Sequence, residues 1–421
     1  MVRSRGLDRP LLGATGALLV LGILTLYSAG QTDFPTAVAV IWKRQLVWIV
    51  IGSVGAALAF RLSPRVLEWA TPFAYVAAVL LLVLTLFFGV GAGTAAGTNS
   101  WLAIGGIRIG QPAEAAKLAT ILMLARHLGA RREPPQSLVE LMPALVIVSV
   151  PFLLVGMQPD LGSGIVFLGI LFVALFWVGV KPMLLLLLAS PLISLLLAFS
   201  TWSWGAWIVI ITLLLLWARP YVLEALTVWL TNVAMGVVAL ELWQRLAPYQ
   251  QNRVLSFLNP ELDPRATGWN IIQSKVAIGS GGFFGKGFLQ GTQKRLAFLP
   301  EQHTDFIFSV VGEEFGFLGV VLVLGLFAAL LLTLLRIARR ATDPFSSAMV
   351  IGIGGMLVTH VLVNIGMTVG LMPIVGIPLP FFSYGGSFML ICLFAIGLAL
   401  RVAWESRLSG YADVSGEWRR A

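Results

Sequence analysis

The sequence predicts an all-α polytopic integral membrane protein in which about twelve helices cross the bilayer. Hydrophobic residues make up 58% of the 421 residues and charged residues only 11%, whereas a soluble domain carries roughly 25% charged residues. The apolar residues are grouped in blocks of about 18–25, the length needed to cross roughly 30 Å of hydrocarbon. Because the backbone must satisfy its own hydrogen bonds at that depth, these blocks are predicted to be helices. The short alternating segments typical of a transmembrane β-barrel do not occur in the sequence.

Twelve apolar blocks follow one another along the chain. They cover approximately 11–29, 45–60, 68–90, 113–128, 139–156, 161–180, 182–200, 204–218, 221–243, 305–335, 345–369 and 384–404. The block at 113–128 is weak because Glu114 and Lys117 interrupt it, and the boundaries inside 182–243 are ambiguous. We expect a single membrane domain over the whole chain, with a large loop at 244–304.

The distribution of positive charge predicts the orientation of the bundle. Arg3, Arg5 and Arg9 precede the first long apolar run, which predicts an uncleaved first helix whose N-terminus lies inside. With twelve crossings, most of the 28 basic residues then fall in short inner loops, as the positive-inside rule requires. Both termini are therefore expected to be cytoplasmic.

The loop at 244–304 is the exception, because it is basic and lies on the predicted outer face. Its cations are Arg245, Arg253, Arg265, Lys275, Lys286, Lys294 and Arg295. Long loops escape the positive-inside rule, so this charge does not overturn the topology. A basic outer loop against a membrane indicates an anionic ligand.

Composition also narrows the possible classes of function. The net charge of +9 is explained by membrane topology rather than by nucleic-acid binding, so no nucleic-acid partner is expected. Cys392 is the single cysteine, which excludes an intrachain disulfide or a cysteine-based metal site. The three histidines lack metal-ligand spacing.

Four polar segments fall on the predicted outer face. They are 97–117, 158–160, 249–305 and 372–387. An ionisable residue at membrane depth is expensive and usually faces a bundle interior or a wet cavity. Glu114 and Lys117 stand three residues apart on one helix, so they share a face. Asp160 and Asp305 each precede a helix. These segments are the candidates for a functional site.

Structural explanations compete with functional ones for these residues. Asp160 and Asp305 could be helix caps, because negative charge suits a helix N-terminus. Glu114 and Lys117 could form an internal salt bridge. The glycine-rich run at 279–287 does not match a phosphate-binding P-loop, and a tight re-entrant turn is the favoured interpretation over backbone contact with a phosphate.

Together these segments resemble the SEDS family of shape, elongation, division and sporulation proteins. The resemblance is strongest in YQQNRVLSFLNPELDP (249–264), GWNIIQSKVAIGSGGFFGKGFLQGTQ (268–293), FLPEQHTDFIFSVVGEEFG (298–316) and PIVGIPLPFFSYGGS (373–387). It covers nearly the whole chain outside 182–243. Within the family, the sequence is more similar to the rod-shape branch, RodA, than to the division branch, FtsW.

The resemblance implies a peptidoglycan glycosyltransferase that polymerises lipid II for cell elongation and rod shape. It implies a ten-helix core, to which 182–243 would add two helices, in the bacterial cell (inner) membrane with an extracytoplasmic active site. Asp305, from the HTDF segment, corresponds to the essential catalytic residue. The family's other matching positions are Trp101, Glu114, Lys117, Asp160 and Arg253. Further predicted substrate contacts are Arg108, Gln273, Lys275, Lys286, Gln293, Glu301, His303, Ser383 and Tyr384.

The reaction expected from the resemblance needs a base and stabilisation of a leaving pyrophosphate. Asp305 is the predicted base, and Arg253, Lys275, Lys286 and Lys117 are candidates for the pyrophosphates. No cofactor is required with certainty; a divalent cation, Mg or Mn, could assist, but the sequence shows no dedicated carboxylate cage. The implied partners are lipid II, the nascent glycan, a class B penicillin-binding protein acting as transpeptidase, and other membrane proteins of the elongation complex.

Several other functions remain alternatives. A lipid II flippase or other transporter would have a similar architecture, but the polar segments cluster on one face rather than at the midplane. An O-antigen polymerase or ligase would not share the HTDFIF and PLPFFSYGGS segments. A division-branch polymerase and a non-catalytic scaffold of a cell-wall complex complete the alternatives.

Overall fold

The computed structural model describes residues 7–33, 37–91, 100–104, 107–218, 221–245, 251 and 267–408. Its α-helices are α1 (Arg9–Ala29), α2 (Ile41–Arg61), α3 (Pro64–Phe88), α4 (Pro112–Gly129), α5 (Leu138–Met157), α6 (Leu161–Val178), α7 (Pro182–Leu197), α8 (Thr201–Ala218), α9 (Val222–Arg245), α10 (Thr267–Ser280), α11 (Thr292–Arg295), α12 (Ile307–Arg339), α13 (Pro344–Thr368) and α14 (Gly386–Leu408). A 3-10 helix, Ala37–Val40, precedes α2, and three short antiparallel strands, β1 (Gly89–Val90), β2 (Trp101–Ile104) and β3 (Ile107–Gly110), join α3 to α4.

Each of the twelve predicted apolar blocks lies on a helix. Ten helices within the described ranges are long and apolar enough to cross a membrane, judged by length and composition. The two that fall short are α4, which carries Glu114 and Lys117, and α7, which has only 16 residues. The chain is therefore a multi-pass helical membrane protein, whereas the count of twelve crossings is not confirmed.

The bundle is apolar on the outside and carries polar groups inside. On α2, Val47, Val50, Val54 and Leu58 follow a helical period and are all exposed, as expected of a surface that faces lipid. In contrast, α4 and α13 are buried on almost every face. α4 packs against α3 and α13, α13 also packs against α6 and α12, and α14 lies along α2.

A break in α12 receives the glycine-rich segment that follows α10. Gly316 has φ 62° and interrupts the helix. The freed backbone groups are used by the turn at 281–287: Phe317 N–H donates to the carbonyl of Gly282 at 3.0 Å, and Gly287 N–H donates to that of Glu314 at 3.0 Å. A Cβ on Gly285 would lie 2.1 Å from the Glu314 carbonyl oxygen, so only glycine permits this approach. The run therefore forms a tight turn whose glycines serve packing against α12.

The segment 182–243 carries three of the twelve predicted apolar blocks, and each of them forms a helix, α7, α8 and α9. They form a small apolar cluster of their own from Leu187, Ile211, Leu215 and Val228. Inside the cluster, Asn232 of α9 donates to the Ser190 hydroxyl of α7 at 2.8 Å and accepts from Trp207 Nε1 of α8 at 3.1 Å, so one side chain joins the three helices.

Candidate active site

The loop that carries Asp305 is tied down through three consecutive carbonyl groups. Tyr384 N–H donates to the carbonyl of His303 at 2.9 Å. The Ser383 hydroxyl donates to the carbonyl of Thr304 at 2.5 Å. Asn364 Nδ2 donates to the carbonyl of Asp305 at 3.0 Å. The backbone of the HTD sequence is thus held by two different parts of the chain, α13 and the segment 372–387.

The Asp305 side chain is partly buried and lies beside Gly376. A Cβ built on Gly376 would be 3.5 Å from Asp305 Oδ2, and Gly376 has φ 73°, so a larger residue would be both strained and in contact with the carboxylate. Asp305 is not the N-cap residue of α12, because Phe306 holds that position. Behind the loop lies an apolar wall, the cluster of Ile271, Leu299, Phe306, Met367 and Ile374.

The segment 372–387 is irregular because its prolines cannot join a helix or sheet ladder. Its fold depends on side chains instead. Ser383 is buried; besides donating to Thr304, its hydroxyl accepts from Leu379 N–H at 2.8 Å. Gln45, from α2, donates to the Ser383 carbonyl at 3.1 Å. Ser383 therefore holds the loop in place, and its predicted contact with substrate remains a prediction.

Asp160 is both a helix cap and part of a link between helices. One carboxylate oxygen accepts from Ser163 N–H at 3.0 Å and so caps α6. The other accepts from Gln111 Nε2 at 2.9 Å, and Gln111 stands at the N-cap of α4. Gln111 N–H in turn donates to the Ser387 hydroxyl of α14 at 3.2 Å. The starts of α4, α6 and α14 therefore meet in one place.

Glu114 and Lys117 form a buried ion pair in the bundle interior. Lys117 Nζ lies 2.7 Å from Glu114 Oε1. It also lies 3.2 Å from Nε2 of His360 on α13. The His360 ring stacks on Phe388 with centroids 4.4 Å apart. Lys117 is 1% exposed and committed to these contacts, which makes it a poor candidate for binding a pyrophosphate.

Two further predicted contacts, Lys286 and Gln293, are held by Glu313 of α12. Lys286 Nζ donates to Glu313 Oε1 at 2.9 Å, and Gln293 N–H donates to the same oxygen at 2.9 Å. The neighbouring residue Glu314 pairs with Lys294 at 2.6 Å. The structure thus uses the acidic pair at 313 and 314 to fasten the basic loop to α12.

The remaining predicted contacts around Asp305 are more open. Lys275 is exposed on α10, and its ammonium group lies against Gly370. Gln273 is partly buried on the same helix. Glu301 accepts from the Thr304 hydroxyl at 3.0 Å, and its carboxylate lies 3.8 Å from His303 Nε2. Burial lowers the pKa of His303, whereas the Glu301 carboxylate opposes this shift.

Two predicted contacts lie on the small sheet, and one lies outside the described residues. Trp101 begins β2 and pairs with Val90 of β1. Arg108 is in β3, where its backbone pairs with Ala103. Arg253 falls outside the described ranges. The substrate-binding role of every residue in the predicted set remains a prediction.

Sequence reasoning missed the polar side chains that hold the site from the membrane helices. Gln45, His360 and Asn364 each sit inside an apolar block, and all are fully buried. The cost of a polar group at membrane depth was the signal that could have identified them. Among the described residues, no group of three or more His, Cys, Asp or Glu side chains could hold a metal ion.

Comparison with known proteins shows a relationship over almost the full length. A family model described as "Cell cycle protein" and named for FtsW, RodA and SpoVE matches residues 9–206 and 202–408. Peptidoglycan glycosyltransferase MrdB of Escherichia coli K12 is 37% identical over 400 residues, covering 94% of this chain and 93% of its own. Peptidoglycan glycosyltransferase RodA of Treponema pallidum is 35% identical over 435 residues, covering 95% and 99%.

Solved structures resemble the chain to a similar extent. One belongs to work named "Structural coordination of polymerization and crosslinking by a peptidoglycan synthase complex"; it has a TM-score of 0.70 and 30% identity and covers 95% of this chain and 98% of its own. The crystal structure of the rod shape determining protein RodA of Thermus thermophilus has a TM-score of 0.61 and 28% identity, covering 94% and 97%.

Proposed function

The chain belongs to the FtsW, RodA and SpoVE family of cell cycle proteins, and from this we propose that it is a peptidoglycan glycosyltransferase of the rod-shape branch that polymerises lipid II. The relatives named MrdB and RodA are themselves named peptidoglycan glycosyltransferases, which supports the activity and the branch. The structural observation that carries the proposal is the fastening of the Asp305 loop. Three bound carbonyls and an apolar wall give its carboxyl group a defined position beside Gly376.

In the reaction, a sugar hydroxyl of one lipid II attacks the anomeric carbon at the reducing end of the growing glycan. The new glycosidic C–O bond forms as the bond to undecaprenyl pyrophosphate breaks, and the leaving group takes the electron pair. A β-linkage made from an α-linked donor needs one displacement with inversion. Asp305 receives the proton of the attacking hydroxyl, and fixed positive charge near the site stabilises the departing pyrophosphate.

The basic residues best placed for the pyrophosphate are those without an acidic partner. Lys275 is exposed on α10, and no ion pair of Lys275 is present among the described residues. Its helix packs behind the Asp305 loop through Ile271. A Mg or Mn ion would have to draw most of its ligands from the pyrophosphate itself, since the described residues offer no three-residue cluster for it.

The test is polymerisation of lipid II by the purified full-length protein and its Asp305→Asn variant. Removing a general base is expected to lower the rate by about 10²–10⁴-fold. Asp33→Asn is a matched control, because Asp33 forms an exposed ion pair with Arg295 away from the loop carbonyls. A correctly folded Asp305→Asn variant that makes polymer at the wild-type rate would remove Asp305 from this role.

The proposal includes an orientation and a partner. The site faces the outside of the cell membrane, both termini are cytoplasmic, and a class B penicillin-binding protein supplies the crosslinking step. The positive charge of the inner loops supports the orientation, and the similarity to a chain of a peptidoglycan synthase complex supports the partner. Labelling of a Lys275→Cys variant in intact cells by a membrane-impermeant maleimide tests the orientation; protection of that cysteine until the membrane is opened would reverse it.

A further inference from the structure

Two polar residues of α13, His360 and Asn364, share one helix face inside the bundle. They are four residues apart and both are 0% exposed. Polar side chains in such a position are costly unless their hydrogen-bonding groups are satisfied. The hydrogen bonds made by their nitrogen atoms explain why an apolar helix carries both.

The first set of contacts is to the segment that begins at Pro373. Pro373, Pro378 and Pro380 have no N–H group, so the segment forms no ladder and its carbonyls need other donors. Asn364 Nδ2 donates to the carbonyl of Ile377 at 2.7 Å. His360 Nδ1 lies 3.0 Å from the carbonyl of Pro378. α13 therefore supplies the donors that this backbone lacks.

The His360 contacts also determine its tautomer. A carbonyl can only accept, so Nδ1 carries the hydrogen and Nε2 is left as the acceptor for the Lys117 ammonium group. The imidazole is thus neutral and joins the Glu114–Lys117 ion pair to Pro378. This connection anchors the irregular segment to the centre of the bundle.

Asn364 also contacts the backbone of Asp305, the proposed base. An amide NH₂ has two hydrogens. One is donated to Ile377, and the other to the carbonyl of Asp305 at 3.0 Å. A single buried amide therefore bridges the Asp305 loop and the segment that contains Gly376. A hydroxyl or a carboxylate could not make both bonds, because it does not carry two hydrogens.

We propose that Asn364 is a positioning residue for Asp305, setting the distance between the Asp305 carboxyl group and the segment beside it, with His360 keeping that segment in register. The inference rests on the proposed function, because it assigns Asp305 the chemistry. Its physical basis is the sensitivity of catalysis to geometry: a displacement of about 1 Å can cost about 10²-fold in rate. Loss of the amide should therefore reduce turnover more than it reduces substrate binding.

The experiment measures initial rates of lipid II polymerisation against lipid II concentration for the full-length protein. Asn364→Leu is expected to lower kcat by about 10–100-fold while KM changes by less than about threefold. Asn364→Ser, which keeps one donor in a smaller side chain, should lie between Asn364→Leu and the wild type. Hydrogen exchange of the peptide covering 299–306 should rise in Asn364→Leu.

The matched control is Asn232→Leu. Asn232 is also 0% exposed, and its Nδ2 also makes two bonds, at 2.8 Å to the Ser190 hydroxyl and at 2.8 Å to the Val228 carbonyl. It lies in the α7–α9 cluster, apart from Asp305. The Asn232→Leu variant should lose about as much stability as Asn364→Leu, but it should keep the wild-type kcat and the wild-type hydrogen exchange at 299–306.

Two results would overturn the inference. One is a kcat of Asn364→Leu within threefold of the wild type; the other is an equal loss of kcat in Asn232→Leu. If Asn364→Leu does not fold, Asn364→Ser is judged against the same two limits. If the wild type itself makes no polymer, the proposed function fails. Hydrogen exchange still tests the positioning role in that case: unchanged exchange at 299–306 in the Asn364 variants would show that Asn364 does not hold the Asp305 loop.

Discussion

The buried ion pair between Lys294 and Glu314 should be one of the most costly contacts to break in this protein. Lys294 Nζ lies 2.6 Å from Glu314 Oε1, and the two side chains are 1% and 0% exposed. Ser28 of α1 completes the group, since its hydroxyl donates to Glu314 Oε1 at 2.6 Å and its carbonyl accepts from Lys294 at 2.9 Å. Among the described residues, Lys294→Met would leave the buried Glu314 carboxylate with only the serine as a donor.

The expected loss follows from the separation of the charges. At an effective dielectric constant of about 20, charges 2.6 Å apart attract by roughly 6 kcal/mol. Desolvation of both groups opposes this attraction, and removal of one partner from a buried pair costs about 3–5 kcal/mol. We therefore expect Lys294→Met to lower the free energy of unfolding by about 3–5 kcal/mol. The double variant Lys294→Met/Glu314→Leu should recover most of this lost free energy, because neither charge of the pair is then left buried.

The assay is equilibrium unfolding in mixed micelles, followed by tryptophan fluorescence. Arg245→Met is the control, because Arg245 pairs with Glu241 at 2.6 Å on the surface of α9, where the side chains are 75% and 64% exposed. Such a pair contributes about 0.3–0.5 kcal/mol. A loss below about 1 kcal/mol for Lys294→Met, or a double variant no more stable than the single one, would refute this reasoning.

Three further results are expected from substitutions in the loop at 244–304. Gly285→Ala should destabilise the fold by at least about 1–2 kcal/mol in the same unfolding assay, because φ is +81° and a Cβ would meet the Glu314 carbonyl oxygen at 2.1 Å; wild-type stability would contradict this packing. Burial lowers the pKa of His303 below its ordinary value of 6.5, so the unfolded chain binds a proton that the folded chain does not as the pH falls below 6.5. Stability should therefore decline over that range, and a His303→Gln variant with an equal decline would show another group responsible. Lys275→Gln should raise the KM for lipid II several-fold. Lys286→Gln should reduce stability more than it changes KM, because Lys286 pairs with Glu313. If polymerisation kinetics show the opposite pattern, Lys286 rather than Lys275 binds the pyrophosphate.

The helices were predictable because hydrocarbon imposes a length and a composition on each one. All twelve apolar blocks coincide with helices, including the weak one at 113–128, where Glu114 and Lys117 are buried against α13. Two of the structural explanations offered for the polar residues were also predictable. Asp160 caps α6, and Glu114 forms a salt bridge with Lys117. These contacts join residues three apart, so helical geometry alone reveals them.

Contacts between distant parts of the chain were not predictable in the same way. Asn364 reaches Asp305, 59 positions away in the sequence, and Ser28 reaches Glu314, 286 positions away. Nothing in the local pattern specifies such partners, because they depend on how whole helices pack. The contacts that hold α7 were unpredictable for the same reason, since Asn232 of α9 donates to Ser190 of α7, 42 positions away.

The basic loop at 244–304 has less positive charge available to a ligand than its sequence indicates. Seven cations between 244 and 304 indicated an anionic ligand, but the structure pairs four of them with acids that lie outside that loop. Arg245 pairs with Glu241, Lys286 with Glu313, Lys294 with Glu314, and Arg295 with Asp33. Because each paired cation would have to leave its carboxylate before it could bind a phosphate, most of this charge serves the attachment of the loop. Among the described residues of the loop, the positive charge available to a pyrophosphate is thereby narrowed to Lys275, on the helix that packs behind Asp305.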